Sequence, residues 1–315
     1  MLDQLPSWET LDVKSLLPFA RVRLIAVDLD GTVVRPSSSE VSSIRRQSRL
    51  LLQKYQVALT IATGRTLTGV RQLLDRLALA SRVPLILYNG ALVVRNTSFE
   101  VVLQDTISAE TLQFILRLCG RYPVLALAYF YEDCPGLLSR TWENRERVRG
   151  WSSVGFPERD FNGMPIDGQH GWCLGDDASP SAIVIDSSHS TSAGSDVLAA
   201  VARVPDVSAT RSGTGHIELR PKGTNKGRAL QCVASFLGIS RGEILALGDN
   251  DNDGEMLNWA GIGVAVAEAS AVALSSSNYV CRHGVAEGAV ELLRLVKQAR
   301  RYFSAASTNA RASQR

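Results

Sequence analysis

The stretch RLIAVDLDGTV, residues 23–33, decides the fold of this chain. Its first half is apolar, and its second half opens with Asp28 and Asp30, followed by Gly31. Such a run predicts a buried strand that ends in a turn, because glycine permits a sharp change of direction. Residues two apart on an extended chain point to the same side, so we expect both carboxylates to converge at the end of the strand.

The segments on both sides of this strand alternate between apolar strands and helical spacing. The predicted strands are VALTIAT (57–63), PLILY (84–88), EILALG (243–248) and GVAVA (263–267), and the predicted helices are 40–54, 66–79, 225–237, 252–259 and 286–301. Nearly continuous apolar strands separated by helices predict an α/β fold, with a Rossmann-like parallel sheet covered on both faces. In such sheets ligands bind at the carboxyl ends of the strands.

The middle of the chain has a different pattern. A helix at 108–119 and strands near 124–130, 182–186 and 206–210 can be assigned, and residues 155–180 form a Gly-, Pro- and Asp-rich stretch that suggests a lid or an irregular insert. We therefore expect an α/β core that is split in sequence by an inserted α+β domain. SRTWENRERVRGW (139–151) favours a surface helix with Glu–Arg pairs over a cationic, aromatic surface for a sugar phosphate.

Composition narrows the class of protein. The 315 residues carry a formal net charge of +3 and are 45% hydrophobic, which is ordinary for a soluble domain and gives no reason to expect nucleic acid as a partner. No apolar run approaches the roughly 18 residues of a membrane span, and residues 1–14 do not resemble a secretory signal. Five scattered cysteines suggest a reducing compartment, so a cytoplasmic location is expected. The four histidines lack metal-ligand spacing and are expected to be structural or exposed.

Two aspartates at the end of one strand are suited to hydrolysis. One carboxylate can attack while the other donates and recovers a proton. Asp28 and Asp30 would repel each other unless a cation lay between them, and a hard divalent cation such as Mg²⁺ fits oxygen ligands. The alternative is a solvated turn.

A second group of acids follows another apolar strand. LALGDNDND (245–253) places Asp249, Asp251 and Asp253 directly after the strand, and such a density of acid requires a cation or many hydrogen bonds. The segment is not an EF-hand loop, because the twelfth position from Asp249 is Ala260 instead of glutamate.

Two motifs place polar groups near helix starts. In IATGR (61–65), the Thr63 hydroxyl can bind an anion, cap the following helix, or do both. In PKGTNKG (221–227), a lysine can neutralise a phosphate or lie at a solvated surface, and either Thr224 or Asn225 can cap the helix that follows.

Taken together, these motifs resemble those of the haloacid dehalogenase-like hydrolase superfamily, and more narrowly the Cof-type phosphatases with a large C2-type cap. The matching motifs are DLDGT (28–32), TGR (63–65), NG (89–90), KG (226–227) and GDNDND (248–253), all in the family's order. The resemblance implies a catalytic core at 21–94 and 215–303 and a cap at 95–214. Residues 1–20 are expected to be a loosely attached N-terminal extension, and 304–315 a disordered tail.

The resemblance also implies roles for the matched residues. Asp28 would be the nucleophile that becomes an aspartyl phosphate, and Asp30 the general acid and base. The phosphoryl oxygens would be held by Thr63, Gly64, Lys226 and Asn252. Mg²⁺ would be bound by Asp28, the backbone carbonyl of Asp30, and Asp249, with Asp253 outside the ligand set and orienting Lys226 or a metal-bound water. Lys222 either contacts the leaving group or faces solvent.

The predicted function is that of a Mg²⁺-dependent phosphatase of small phosphorylated metabolites, with sugar phosphates first and nucleotide or flavin-precursor phosphates next. Two alternatives remain open. A phosphotransferase would deliver the phosphoryl group to a sugar hydroxyl, and a non-catalytic sensor would bind a phosphorylated metabolite without turnover. No prediction of oligomeric state follows from the sequence.

Overall fold

A computed structural model of the chain describes residues 3–6, 13–34, 41–77, 79, 82–132, 145–152, 155–169, 179–188, 190–212 and 215–312. Its strands are β1 (Asp3–Gln4), β2 (Leu24–Val27), β3 (Ala58–Ile61), β4 (Leu85–Leu87), β5 (Leu92–Val94), β6 (Val101–Gln104), β7 (Leu125–Tyr131), β8 (Glu146–Ser152), β9 (Ile166–Gln169), β10 (Ala182–Asp186), β11 (Val207–Ser212), β12 (His216–Pro221), β13 (Ile244–Gly248), β14 (Ile262–Ala265) and β15 (Tyr279–Val280). Its helices are α1 (Val13–Arg21), α2 (Val41–Tyr55), α3 (Leu67–Leu77), α4 (Ala109–Cys119), α5 (Thr191–Val201), α6 (Lys226–Leu237), α7 (Gly254–Trp259), α8 (Ala271–Ser275) and α9 (Glu287–Ala312).

The chain divides into two compact units. The first contains residues 1–63, 71–86 and 225–315, and the second contains residues 64–70 and 87–224. We call these the core unit and the cap unit.

The core unit is built on a six-stranded parallel sheet with the order β1-β15-β14-β13-β2-β3. Every residue of β2, β13 and β14 is buried, so helices cover both faces. α1 and α2 pack against α9, whereas α6, α7 and α8 form a second group. The predicted parallel α/β core is confirmed, and it brings the carboxyl ends of β2 and β13 side by side.

Residues 3–6 and 13–21, the described part of the N-terminal region, pack on the rest of the core unit. β1 pairs in parallel with β15, and Leu5, Leu16 and Phe19 are all buried. The apolar positions of α1 follow helical spacing, which gives the helix one face to bury against α9. At the other end, α9 continues to Ala312, because its small Ala- and Ser-rich extension has no helix-breaking residue. Among the described residues, 3–4 and 13–20 of the expected extension and 304–312 of the expected tail lie in regular elements.

The cap unit contains a second six-stranded sheet, with the order β11-β12-β10-β7-β8-β9. Its pairs are antiparallel except for β8 and β9. One face packs on α4 and α5 through a cluster of buried apolar side chains that includes Phe130, Trp151 and Ile185. The prediction of an inserted α+β domain is confirmed.

One prediction for the cap unit is wrong. Residues 146–152 do not form a surface helix but strand β8, which pairs along its whole length with β7. Burial of Glu146, Val148 and Trp151 in the sheet outweighs the Glu–Arg spacing that favoured a helix. Residues 140 and 142 of the same segment lie outside the described residues. The irregular 155–180 stretch contains β9, and its residues 170–178 also lie outside the described part.

Within the described residues, none of the helices combines the length and the apolar character that crossing a bilayer requires. The cysteines described there, Cys119, Cys232 and Cys281, are not joined in disulfide bonds.

Candidate active site in the core unit

Asp28 lies at the carboxyl end of the central strand β2. Its backbone N–H donates to Leu247 O of β13 at 2.9 Å, which continues the parallel ladder one residue past Val27. The residue is only 5% exposed. Because the strands on both sides are parallel to β2, Asp28 opens towards the edge of the sheet where the β13 turn also begins.

The turn after Asp28 wraps around the carbonyl of Leu29, which accepts from Thr32 N, Val33 N and Val34 N. Gly31 has φ +87°, a conformation that side chains other than glycine rarely adopt. A Cβ at that position would lie 2.2 Å from Asp249 Oδ2. Glycine is therefore required here both by the backbone and by the close approach of Asp249.

Thr32 was given no role by the sequence reasoning, yet it fixes Asp249. Its buried hydroxyl donates to Asp249 Oδ1 at 2.6 Å across 217 residues of sequence. The backbone carbonyl of Asp249 also accepts from Ser270 N at 2.7 Å. Thr32 is the last residue of the DLDGT motif, so its position in the motif was the one feature of the sequence that could have pointed to this contact.

Lys226 lies at the start of α6, where the side chain of Asn225 caps the helix by accepting from Arg228 N at 2.8 Å. The lysine is fully buried, so the alternative of a solvated surface lysine is wrong. Its Nζ donates to Asp28 Oδ1 at 2.6 Å and to Asp253 Oδ1 at 2.7 Å. Asn225, and not Thr224, is the helix cap.

Asp253 holds the lysine from the other side. Its second oxygen, Oδ2, accepts from Asp249 N and Asn250 N, both at 3.0 Å. A Cβ on Gly248 would lie 2.7 Å from that oxygen, so the turn can close only with glycine there. The two oxygens of this buried carboxylate are thus satisfied by Lys226 and by the backbone of the acidic turn.

Burial and the charges of neighbouring groups shift the pKa values of Asp28, Lys226 and Asp249. Burial raises the pKa of Asp28 well above its ordinary value, and Lys226 opposes that effect while Asp253 and Asp249 add to it. Burial alone would lower the pKa of Lys226, but the two neighbouring carboxylates outweigh it and the pKa is raised. The pKa of Asp249 is also raised, chiefly by burial, although the hydrogen bond from Thr32 opposes the shift. The lysine therefore stays charged.

This cluster fits a divalent cation by its charge and its donor atoms. Asp28, Asp249 and Asp253 each present a carboxylate oxygen, and these oxygens lie within 4.8 Å of one another. Three carboxylates against one ammonium leave two formal negative charges, which equals the charge of one divalent ion. Oxygen ligands of this kind suit hard cations.

Three other predicted site residues, Asp30, Thr63 and Asn252, are not part of the cluster of carboxylates around Lys226. The Asp30 side chain is exposed and does not belong to the carboxylate cluster found among the described residues. Thr63 is fully buried next to the end of β4, and its N–H donates to Ile86 O at 3.0 Å. Asn252 is half-buried in the acidic turn. The Thr63 hydroxyl does not cap α3, because Thr66 accepts from Gly69 N at 2.9 Å and fills that place.

The remaining motif residues, Gly64, Asn89 and Gly90, belong to the cap unit, as does Lys222. Gly64 packs against Asn89, since a Cβ on Gly64 would lie 2.9 Å from Asn89 Nδ2. Asn89 and Gly90 both have positive φ, at 54° and 98°. Lys222 is exposed.

A buried glutamate of the cap unit, to which the sequence analysis assigned no role, binds the start of α3 and the Tyr88 hydroxyl. Glu146 of β8 accepts from Leu67 N, Thr68 N and Thr68 Oγ1, all at 2.7 Å, and from Tyr88 OH at 2.5 Å. Burial raises its pKa, and the hydrogen bonds from Tyr88 and Thr68 oppose that shift. An anion at the first turn of α3 also interacts favourably with the helix dipole.

The fold and this cluster define a class of protein, and comparison with known families identifies it. A family model described as haloacid dehalogenase-like hydrolase matches residues 25–293. The chain belongs to the haloacid dehalogenase-like hydrolase family, which confirms the resemblance of its motifs.

Similar proteins and a solved structure agree with this assignment. The chain is 25% identical to a 5-amino-6-(5-phospho-D-ribitylamino)uracil phosphatase of Bacillus subtilis, over 87% of this chain and 95% of the relative. It is 27% identical to an HMP-PP phosphatase of Cronobacter sakazakii, over 77% and 83%. A haloacid dehalogenase-like hydrolase from Bacteroides thetaiotaomicron has the same fold, with a TM-score of 0.67, 20% identity, and coverage of 87% of this chain and 98% of that one. The chain is an enzyme of the phosphatase class.

Proposed function

We propose that the chain is a Mg²⁺-dependent phosphatase that hydrolyses small phosphorylated metabolites through an aspartyl phosphate on Asp28. The observation that carries the proposal is the buried contact of Lys226 with Asp28 and Asp253, beside the carboxylate of Asp249. The desolvation cost of a buried lysine can exceed the attraction of its two carboxylates, so stability alone is a weak reason for its presence, and a role in binding a phosphoryl group supplies another. Here it lies where it would neutralise a phosphoryl group next to the nucleophile.

The proposed chemistry has two displacement steps. An oxygen of Asp28 attacks phosphorus, the bond from phosphorus to the leaving oxygen breaks, and Asp30 gives that oxygen its proton. Asp30 then takes a proton from water, and the resulting hydroxide attacks phosphorus and releases phosphate from Asp28. The exposed position of Asp30 suits a group that exchanges protons with a leaving group and with water.

Mg²⁺ would be held by Asp28, Asp249 and the carbonyl of Asp30, and it would supply neutralisation of phosphoryl charge. Asp253 would act by fixing Lys226 and the acidic turn. Thr63, Gly64 and Asn252 are proposed to contact the phosphoryl oxygens, together with Lys226. Residues 95–214 are proposed to act as the cap that reads the leaving group and excludes water.

The proposed substrates are phosphate monoesters of a sugar or sugar-alcohol carbon. The Bacillus subtilis relative is named as a phosphatase of a compound with a phosphorylated ribityl group, which supports sugar-alcohol phosphates as the substrate class. The sequence analysis predicted sugar phosphates first and nucleotide or flavin-precursor phosphates next, and this order of substrates stays a prediction.

Trapping of the phosphoenzyme tests the proposal. Radiolabelled substrate with Mg²⁺ should label the wild-type chain, and Asp28→Asn should abolish both the label and phosphate release while leaving the fold intact. Asp30→Asn should keep the label longer, because hydrolysis of the aspartyl phosphate loses its base. Full activity of Asp28→Asn would end the covalent proposal.

The same assay separates the alternatives. A phosphotransferase would pass the label to an added sugar faster than to water. A non-catalytic sensor would bind the substrate without labelling or phosphate release.

A further inference from the structure

Positive charge is concentrated on three helices of the core unit that pack together. The sequences of α1, α2 and residues 292–312 of α9 contain eleven lysines and arginines and no aspartate or glutamate. The formal net charge of the whole chain is only +3, so these helices hold far more than their share. The second group of helices, α6, α7 and α8, contains two basic residues and one acidic residue.

Basic side chains of α2 and α9 lie close enough to act on one another. Lys297 Nζ donates to Gln47 Oε1 of α2 at 2.9 Å, which places the lysine at the contact between the two helices. Burial lowers the pKa of Lys297, and Arg294, Arg46 and Arg301 lower it further. Among the described residues, the charged groups that act on Lys297 are thus arginines of these same two helices. Their mutual repulsion favours an anionic partner.

The same helices also expose large hydrophobic side chains. Leu17 of α1, Leu50 of α2 and Tyr302 of α9 expose 38%, 41% and 44% of their surface. Leu50 lies one helical turn after Arg46, on the same side of α2. A single exposed leucine is ordinary, but here apolar groups are interspersed with arginines. We give the name basic face to Arg46, Leu50, Arg294, Lys297, Arg301 and Tyr302.

The shape and composition of the basic face disfavour nucleic acid as its partner. α2 and α9 pack against each other, and each helix is about 10–12 Å across with its side chains. The pair is therefore wider than the major groove of DNA, which at roughly 12 Å admits a single helix. Leu50 has no role on a phosphate backbone. Leucine and tyrosine both suit the boundary between lipid head groups and acyl chains.

We propose that the basic face binds the surface of a bilayer that contains anionic lipids, as a peripheral contact. Arg46, Arg294 and Arg301 pair with the phosphate groups of the lipids, because a guanidinium group can donate two hydrogen bonds to one phosphate. Leu50 and Tyr302 enter between the head groups. The basic face contains none of the residues of the candidate active site, so the inference does not depend on the phosphatase proposal.

Flotation of the full chain with lipid vesicles tests the proposal. Phosphatidylcholine vesicles with about 30 mol% phosphatidylserine should bind the wild type at low salt, and vesicles of phosphatidylcholine alone should not. Raising the salt to about 0.5 M should release the chain, because screening then limits charge interactions to a few ångströms. A wild type that does not float with phosphatidylserine vesicles at low salt would overturn the inference.

The triple variant Arg46→Gln/Arg294→Gln/Arg301→Gln removes three charges and keeps Lys297, whose hydrogen bond joins the two helices. Each basic residue near an anionic membrane contributes about fivefold to the partition coefficient, so the variant should bind phosphatidylserine vesicles roughly 100-fold more weakly. Removing like charges relieves repulsion, so we expect the variant to fold. An unchanged near-ultraviolet circular dichroism spectrum checks that it does.

Arg117→Gln/Arg121→Gln/Arg203→Gln is the matched control, because it makes the same change in net charge at three exposed arginines of the cap unit. It should bind the vesicles within about twofold of the wild type, since charges beyond a Debye length are largely screened. An equal loss of binding in the two triple variants would assign the effect to net charge and would overturn the inference.

The double variant Leu50→Ser/Tyr302→Ser distinguishes a membrane from nucleic acid. It keeps every charge, yet it should weaken vesicle binding by about tenfold, because the two apolar groups no longer enter the head-group region. Its binding to duplex DNA should equal that of the wild type. Duplex DNA that strips the wild type from phosphatidylserine vesicles at equal phosphate concentration would assign the basic face to nucleic acid and would overturn the inference.

Discussion

Lys226→Met removes the one ammonium that joins Asp28 to Asp253. The side chains of these carboxylates are 6% and 0% exposed, so neither can recover its lost hydrogen bond from bulk water. Removing one partner of a buried ion pair costs about 3–5 kcal/mol, because the other charge stays buried and uncompensated. Against a total stability of about 5–15 kcal/mol, that loss is large. We therefore expect the core unit of Lys226→Met to be severely destabilised without metal.

Hydrogen exchange of peptides from β2 and β13, followed in urea, measures this loss within the core unit even if the two units unfold separately. Mg²⁺ should recover part of it, by about 2.7 kcal/mol at a concentration one hundred times its Kd. Lys54→Met is the control, since Lys54 is exposed on α2 and its loss should change the stability by less than about 0.5 kcal/mol. A Lys226→Met variant as stable as Lys54→Met would refute the reasoning.

Two further predictions concern single carboxylates. Asp249→Asn keeps the hydrogen bond from Thr32 but removes a negative charge. The Kd for Mg²⁺, measured by calorimetry, should therefore rise by more than about tenfold. Asp251→Asn is the control, because Asp251 is exposed and its substitution should leave this Kd unchanged. The folded-state pKa of Glu146 is raised above its ordinary 4.5, so the folded chain keeps this proton to higher pH than the unfolded chain does. Stability should therefore fall as pH rises from about 4.5 through the folded pKa, and Glu146→Gln should remove that part of the slope; identical slopes of unfolding free energy against pH would contradict this.

The core of the fold was predictable because its strands are buried on both faces. β2, β3 and β13 appear in the sequence as short apolar runs, and each ends at or near a motif whose residues are polar or small. Parallel strands must place their carboxyl ends together, so the meeting of Asp28 with Asp249 followed from topology. The glycines that allow this meeting were also visible in the sequence.

The features that the sequence missed depend on contacts between distant residues. β8 has Glu–Arg spacing that favours a helix by local rules, but pairing with β7 decides its conformation. Glu146 lies 79 residues from Leu67, and no local pattern marks a glutamate that caps a distant helix. The docking of β1 and α1 on the core likewise depends on β15 and α9, which lie at the opposite end of the chain.

The order of the strands has a consequence for synthesis of the protein. Thr32 and Asp249 are separated by 217 residues, so at roughly 5–20 residues per second the ribosome needs about 10–40 s to add the partner of the first motif. The cap unit, whose residues 87–224 are continuous, is complete before β13 exists. During that interval β2 and β3 have an unpaired edge that is prone to aggregation. The nascent chain is thus most vulnerable just before its last quarter emerges, and chaperones that shield apolar edges should matter most at that stage.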